Sequence, residues 1–596
     1  MINTLSDYDR HLSDKRHRFL KLLDDPQSDL SGWTLCMGNE AGDLDSLASA
    51  LAYSTFATST LSASSFSTEF IPLVLTPRDD LYLRPENLES LKRAHVSTDS
   101  LLTIDDVPRA RIDRPRSSRP HFVLVDHNAL LPSFRHDDDD RGDDRVVAIV
   151  DHHADEGHHL SARPRTIEPV GSCSSLVVAH FFPSIVHSPS SPPSSSLSET
   201  SDPTDHLAPP VPVPTSLPRG LADLLVGAIL LDTRLRPTDK GGKATRTDLE
   251  AVEFLVPFSS DADSSNPVST SANESASVEI AVSQGLSSPS TATVKLLLAH
   301  EELLSALKAD VSWMNGRDLL RRDYKEYVYD GREPERPVGS RDDQVQDRPE
   351  QEQEDEEDED GKAGNGRDRR RAIRYGLATV PLGLEVWLSN LSNTSASSPS
   401  SSTRDPKDPT IDSTDGRRPL DPVALDLLIR DVASFMTERS LDLCGVLTSY
   451  SHVGRKSGKS KHRREVVVVV RALLDDDDDD LSANASSRGR GRGRGRGVVD
   501  REFARSILDG LERDEVLRFE TWKLADEFDG RDASSEARSG GRAHDAANDK
   551  DREEEEEEGK GLVWKVWQQG NTKATRKQVA PVLRTLLEHE WDAGVE

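Results

Sequence analysis

The sequence predicts an α/β protein, with a parallel-sheet N-terminal domain, a smaller α/β C-terminal domain and several disordered inserts. Three observations predict it. Short apolar runs, rich in β-branched or aromatic residues, recur through the first 255 residues. Helical stretches lie between them, the alternation expected of a parallel sheet. Long polar, low-complexity segments then interrupt the chain at intervals.

The strand candidates of the first part are WTLCM (33–37), FIPLVL (70–75), HFVLV (121–125) and VVAIV (146–150). Each is too short for a typical helix. Ser46 to Ser54 and Leu221 to Leu231 read as helices. One or two helices are expected over 291–328, ending in DLLRRDYKEYVYD. A strand at 371–380, a helix at 421–438 and strands at 441–447 and 465–470 follow, and the last ordered piece is 564–587. The expected organisation is a first domain over 1–257, a disordered linker over 258–290 and a second domain over 291–596. The inserts are Ser/Pro-rich (188–218), acidic and charged (331–370), Ser/Asp/Pro-rich (392–418), an aspartate run joined to an Arg-Gly repeat (475–497) and again charged (528–560). None carries enough apolar surface to offset chain entropy. A cleft between two domains is a common ligand site, and the active site is expected there.

A net charge of −31 argues against general binding to nucleic acid or anionic membranes, and the Arg-Gly repeat reads as a solvated tail. Cys36, Cys173 and Cys444 lack metal-ligand spacing and read as buried, reduced thiols. The N-terminus has no apolar signal core and no run is long enough to span a membrane, so a soluble cytoplasmic protein is expected.

Four acidic or histidine-containing signatures follow apolar segments. GNEAGDLDS carries Asp43 and Asp45, VDHN carries Asp126 and His127, VDHH carries Asp151, His152 and His153, and LLDT carries Asp232. In a parallel sheet, ligands gather at the carboxyl ends of strands, and the first three signatures occupy that position. Taken singly, most have ordinary explanations. Asp43 and Asp45 suit a helix N-cap, Asp126-His127-Asn128 suits a turn, and Asp232 alone says little. Adjacent histidines after a buried strand are harder to explain away, and the four in this order point to a metal site. Carboxylates with imidazole suit Mn²⁺, Mg²⁺ or Co²⁺. Two aspartates at i, i+2 can serve two ions, which at roughly 3.5–4 Å apart activate a water and clamp a phosphoryl oxygen. No serine or cysteine nucleophile signature competes.

At these residues the sequence resembles the DHH phosphoesterase superfamily, which includes manganese-dependent inorganic pyrophosphatases, fungal cytosolic exopolyphosphatases and prune-like phosphodiesterases. The resemblance covers both ordered regions. Ala574-Thr575-Arg576-Lys577-Gln578 resembles the Ser-Arg-Lys signature of their second, DHH-associated domain, and DLLRRDYKEY (318–327) resembles another of its segments. By position, the resemblance implies Asp43, Asp45, Asp126, His152 and Asp232 as ligands of two metals, with Asp126 bridging. It implies Asp151 as a residue orienting the histidines and His153 as a catalytic residue that assists the leaving phosphate. His127, Arg576 and Lys577 would contact substrate. The pyrophosphatases carry His where this chain has Asn39, whereas the fungal exopolyphosphatases share Gly-Asn-Glu, so Asn39 is expected to meet substrate in the catalytic site. The prune-like branch usually lacks the second histidine, here His153. Both details favour an exopolyphosphatase that removes terminal phosphate from inorganic polyphosphate through a two-metal-activated water. The alternatives are a pyrophosphatase, a prune-like nucleotide phosphodiesterase, or a scaffold using the acidic and Arg-Gly segments. A polyanionic substrate needs a locally basic lining in so acidic a chain, and Arg374, Lys325, Arg576, Lys577 and Arg584 are its candidates.

Overall fold

The computed structural model describes residues 5–61, 68–135, 145–183, 217–260, 291–329, 372–395, 422–453, 460–472, 499–524 and 561–593. The stretches expected to be disordered lie wholly or mostly outside these. The described chain forms two compact units, Met1–Lys325 and Glu326–Glu596.

In the first unit, β1 (Trp33–Met37), β2 (Glu69–Val74), β3 (Leu102–Thr103), β4 (His121–Val125), β5 (Val146–Asp151) and β6 (Arg165–Ile167) form one sheet in the order β3-β2-β1-β4-β5-β6. All its pairings are parallel. The four longer strands, β1, β2, β4 and β5, are mostly apolar because both faces are covered. Cys36, Val123 and Val125 point into one core, which holds α2 (Leu44–Leu61), α5 (Cys173–Phe181), α6 (Arg219–Thr233) and α7 (Arg246–Leu255). Their neighbours Leu35, Met37, Phe122 and Leu124 point into the other, against Phe19 and Leu23 of α1 (Leu5–Asp24) and Ile112 of α4 (Arg109–Ile112). α3 (Pro85–Arg93) precedes β3. The strand order reverses between β1 and β4, so the loops after these two strands flank the crevice where such sheets bind ligands.

The sequence reading starts the second domain at residue 291, but α8 (Thr291–Ala309) and α9 (Gly316–Arg322) belong to the first unit. Leu297 and Leu304 of α8 are buried in the first core, and Arg322 of α9 donates Nε to Leu83 O at 3.0 Å. Beyond α9 the expected helix is instead β7 (Tyr324–Tyr329), a segment of tyrosine and valine suited to a pleated edge.

In the second unit, β8 (Ile373–Val380), β9 (Leu443–Thr448), β12 (Glu465–Arg471), β13 (Phe519–Thr521) and β14 (Leu562–Gln569) join β7 in the order β13-β14-β12-β9-β8-β7. β8 and β9 are parallel, while β12 is antiparallel to both β9 and β14. β10 (Tyr450–Val453) and β11 (Ser460–Arg463) form a separate two-stranded sheet. α10 (Leu384–Ser395) packs with α11 (Pro422–Arg439), and α12 (Arg501–Arg513) with α13 (Arg576–Ala593). Val466, Val468 and Val470 face the core shared with Leu508, Leu511 and Leu583, and Val467 and Val469 are also buried. Coverage of both faces explains the unbroken run EVVVVV.

Candidate functional site

The site lies at the carboxyl ends of β1, β4 and β5. Asp126 ends the strand HFVLV in the left-handed region (φ 62°), a conformation in which Asp and Asn are the best tolerated residues after Gly. That turn brings its carboxylate, only 2% exposed, back over the sheet end. His152 Nε2 lies 3.1 Å and His153 Nδ1 3.6 Å from Asp126 Oδ1. One potential donor atom from each of these three residues falls within 4.8 Å of the others.

Two shells of hydrogen bonds hold the cluster. Asp151 is fully buried and its Oδ1 accepts the backbone N–H groups of His152 (2.8 Å) and His153 (3.1 Å) and the ring Nδ1 of His153 (2.8 Å). Asn128 Nδ2 donates to Asp151 Oδ2 at 2.6 Å. These bonds hold the Asp151 carboxyl well below its ordinary range even though burial opposes this. His152 Nδ1 donates to Val170 O at 3.2 Å, since a carbonyl only accepts, and this turns Nε2 toward Asp126. A ring held this way is oriented for metal ligation. On the other side, Asn39 Nδ2 donates to Asp126 Oδ2 at 2.6 Å, and Ser46 Oγ donates to the same oxygen. Asn39 therefore braces Asp126, and its Oδ1 accepts Ala41 N at 2.8 Å.

The loop carrying Asp43 is clamped from α3. Asn87 Nδ2 donates to Gly42 O at 2.8 Å, and Arg84 donates to Ala41 O. Gly42 (φ +59°) packs so tightly that a Cβ would sit 2.0 Å from Thr76 Oγ1. Arg84 shares buried Glu86 with Arg322 of α9. Asp45 is 2% exposed and lies on the N-terminus of α5. Its carboxylate accepts Cys173 N (2.7 Å), Ser174 N (2.8 Å), Ser172 Oγ (2.7 Å) and Ser174 Oγ (2.6 Å). Asp248 holds the same helix start through Gly171 N and Ser172 N.

The electrostatics show how crowded the carboxylates are. Burial, then Asp43 and Asp45, raise Asp126 to about 6. Burial, then Asp45, raise Asp232 well above the carboxylate range. Burial would lower His152, but Asp126, Asp45 and Asp232 outweigh it and raise the ring to about 10. Asp43 is the exception: burial opposes ionisation, yet Lys308, Arg84 and the Ser46 N–H hold it at about 2. A pocket in which protons must stand in for missing positive charge, with oxygen and imidazole donors converging, fits divalent cations. Burial lowers His127 to about 4. Its Nδ1 donates to Val125 O at 2.9 Å, and its buried Nε2 has no hydrogen-bond partner among the described residues.

The structure thus brings Asp126, His152 and His153 into contact, braces them with Asp151 and Asn39, and puts Asp43, Asp45 and Asp232 within Coulombic reach. Arg576 and Lys577 begin α13 of the second unit, where Arg576 is half-buried and Lys577 exposed. Among the other basic candidates, Arg374 is paired with Glu326, and Arg584 with Glu588 at 3.0 Å. Sequence reasoning missed Ser46, Asn128, Arg84, Asn87, Lys308 and the serines of GSCSS (171–175). Only the last carried a local signal, a cluster of small hydroxyl residues opening a helix.

The Asp126, His152 and His153 cluster thus sits at the switch point of a doubly covered parallel sheet. Over part of its length the chain is similar to proteins that carry the name exopolyphosphatase. It is 32% identical over 235 residues to the Schizosaccharomyces pombe protein named "Putative exopolyphosphatase", covering 39% of this chain and 52% of that one. It is 29% identical over 219 residues to "Exopolyphosphatase PRUNE1" of Rattus norvegicus, covering 37% of this chain and 40% of that one. The chain spans about half the length of these curated relatives or less. No family model matches it. Among solved structures, a Methanococcus jannaschii protein titled "putative family II inorganic pyrophosphatase" aligns over 73% of this chain and 86% of its own, at 14% identity and a TM-score of 0.34, too loose to add to the assignment.

Proposed function

We propose that the protein is a metal-dependent exopolyphosphatase, hydrolysing the terminal phosphoanhydride bond of linear polyphosphate. The observation that carries this reading is the convergence of Asp126, His152 and His153 in a buried acidic pocket, in a chain whose relatives are named exopolyphosphatases.

Asp126, Asp43, Asp45, His152 and Asp232 would hold two divalent cations. Mn²⁺, Mg²⁺ and Co²⁺ all suit this donor set. When bound there, such ions lower the pKa of a water and clamp phosphoryl oxygens. Asp151 holds Nδ1 of His153, leaving Nε2 to contact substrate and pass a proton to the departing phosphate. His127 presents a bare Nε2 lone pair, so an approaching phosphate favours its protonated form, which then donates. Asn39 keeps Asp126 aimed by donating to it. Arg576 and Lys577 grip phosphate oxygens, the arginine in a bidentate way.

The deciding measurement is orthophosphate release from long-chain polyphosphate with Mg²⁺, Mn²⁺ or Co²⁺, beside tripolyphosphate and pyrophosphate. Release from the long chain, abolished by Asp126→Ala, is expected. Faster turnover of pyrophosphate would assign the site to a pyrophosphatase, and no release from any substrate would overturn the enzyme reading.

A further inference from the structure

Two buried carboxylates divide the donors of the segment GSCSS (171–175) between them. Asp45 takes Cys173 N, Ser174 N and the hydroxyls of Ser172 and Ser174. Asp248 of α7, 0% exposed, takes Gly171 N at 2.9 Å, Ser172 N at 3.1 Å and Ser175 Oγ at 2.7 Å. Asp248 also closes the start of its own helix, where its Oδ2 accepts Thr245 N and Thr245 Oγ1, both at 2.7 Å. A capping box needs only the pairing with Thr245. The bonds to Gly171, Ser172 and Ser175 go beyond it.

Gly171 is the point where three elements meet. A Cβ there would sit 2.4 Å from Thr233 Cγ2 and 2.8 Å from Asp248 Oδ2, so only glycine fits. Thr233 follows Asp232 at the end of α6, and it is pinned in turn: its Oγ1 donates to Ile229 O at 2.5 Å and accepts Leu235 N at 3.1 Å. The two oxygens of Asp45 are loaded unequally. Oδ1 accepts Ser174 N and the hydroxyls of Ser172 and Ser174, with Ser49 Oγ at 3.5 Å, whereas Oδ2 accepts Cys173 N alone. Oδ1 is full, and Oδ2 keeps a lone pair for a cation.

We propose that Asp248 is a positioning residue for the cation site, fixing through Gly171, Ser172 and Ser175 the segment that aims Asp45 Oδ2. The inference rests on the reading of Asp45 as a cation ligand. Asp43, two residues away, is held separately from α3. With the two aspartates serving different ions, loss of Asp248 weakens one cation and spares the other. A residue that only capped α7 would act on stability alone.

The test is Mn²⁺ binding to the full chain without substrate, read from the loss of the free-ion electron paramagnetic resonance signal. Asp248→Asn keeps the shape of the side chain but sets an NH2 group against N–H donors. Ser175→Ala removes one donor from Asp248. Thr245→Ala removes the cap hydroxyl and leaves the bonds to the segment before α5 in place. Asp248→Asn should weaken one class of Mn²⁺ site about tenfold. Ser175→Ala should weaken the same class a few-fold. Thr245→Ala should lower Tm and leave Mn²⁺ affinity unchanged. Unchanged affinity in Asp248→Asn and Ser175→Ala would overturn the proposal, as would a loss in all three variants that follows Tm. If Asp248→Asn does not fold, Ser175→Ala against Thr245→Ala decides. A wild type that binds no Mn²⁺ would sink the cation reading and the proposal with it, whereas a wild type that binds the ion and variants that bind it equally well would sink the proposal alone.

Discussion

The histidine end of the site and the loop of Asp43 and Asp45 are held in different ways. Asp126, Asp151 and Asn39 are buried; Asn39 donates to Asp126, and Asn128 donates to Asp151. The loop is held instead from helices, by Asn87 and Arg84 at α3 and by the N-terminus of α5. The first arrangement suits an ion that must be held at fixed geometry, because low dielectric and preset donors make each contact strong. In the second, several donors share the load. Substitutions at the histidine end should therefore cost the most, and those that hold the loop should be graded.

The sharpest break comes at Asp126. Asp126→Asn keeps the left-handed backbone and can still accept from Asn39, so the fold should survive while the charge is lost. Phosphate release should fall by more than the roughly 10–100-fold typical of groups one step removed from a metal. Mn²⁺ binding followed by electron paramagnetic resonance should weaken in parallel, with thermal stability nearly unchanged. Asp151→Asn comes next. It leaves an oxygen to accept the two backbone N–H groups and the His153 ring but removes the charge and sets an NH2 donor against Asn128 Nδ2, and should cost about 10–100-fold in metal affinity or activity. Asp151 is depressed below its ordinary range, so its ionised form stabilises the fold above that range and the contribution is lost as pH falls. The variant should consequently lose less stability on acidification than the wild type, which urea titrations at several pH values will read.

Metal uptake gives a smaller, continuous effect. His152 binds its proton up to about 10 in the metal-free protein, and a metal needs the neutral ring. Apparent affinity should therefore rise about tenfold per pH unit between neutrality and that value. Calorimetry in buffers of different ionisation enthalpy should show a proton released for each such event. Affinity that stays flat with pH would mean that His152 does not ligate the ion.

The parallel sheet and most of its residues were legible because burial on two faces leaves unbroken apolar runs such as HFVLV and VVAIV. The clustering of Asp126 with His152 and His153 was legible because both motifs end such runs. The crossing of the strand order between β1 and β4 was not, since local pattern does not encode sheet order. Arg84 and Asn87 were invisible for a related reason. They act from α3 on a loop more than forty residues earlier, and nothing near them in sequence resembles a site. The end of the first unit was misplaced because α8 is amphipathic like any surface helix, and only its contacts with the first core show which unit it joins.

Asn87 offers the finest test of how rigid the acidic region is. It gives one hydrogen bond to Gly42 O, next to Asp43, and its Oδ1 has no hydrogen-bond partner among the described residues. Asn87→Ala therefore removes a single donor and leaves one buried carbonyl unpaired, at about 1 kcal/mol of stability. If the loop is held mainly by the Gly42 turn and Arg84, metal affinity should fall only a few-fold, a modest effect relative to Asp151→Asn. A loss as large as that of Asp151→Asn would instead mean that α3 sets the position of Asp43 outright. The clamp on this loop would then rank with the histidine brace in holding the ions.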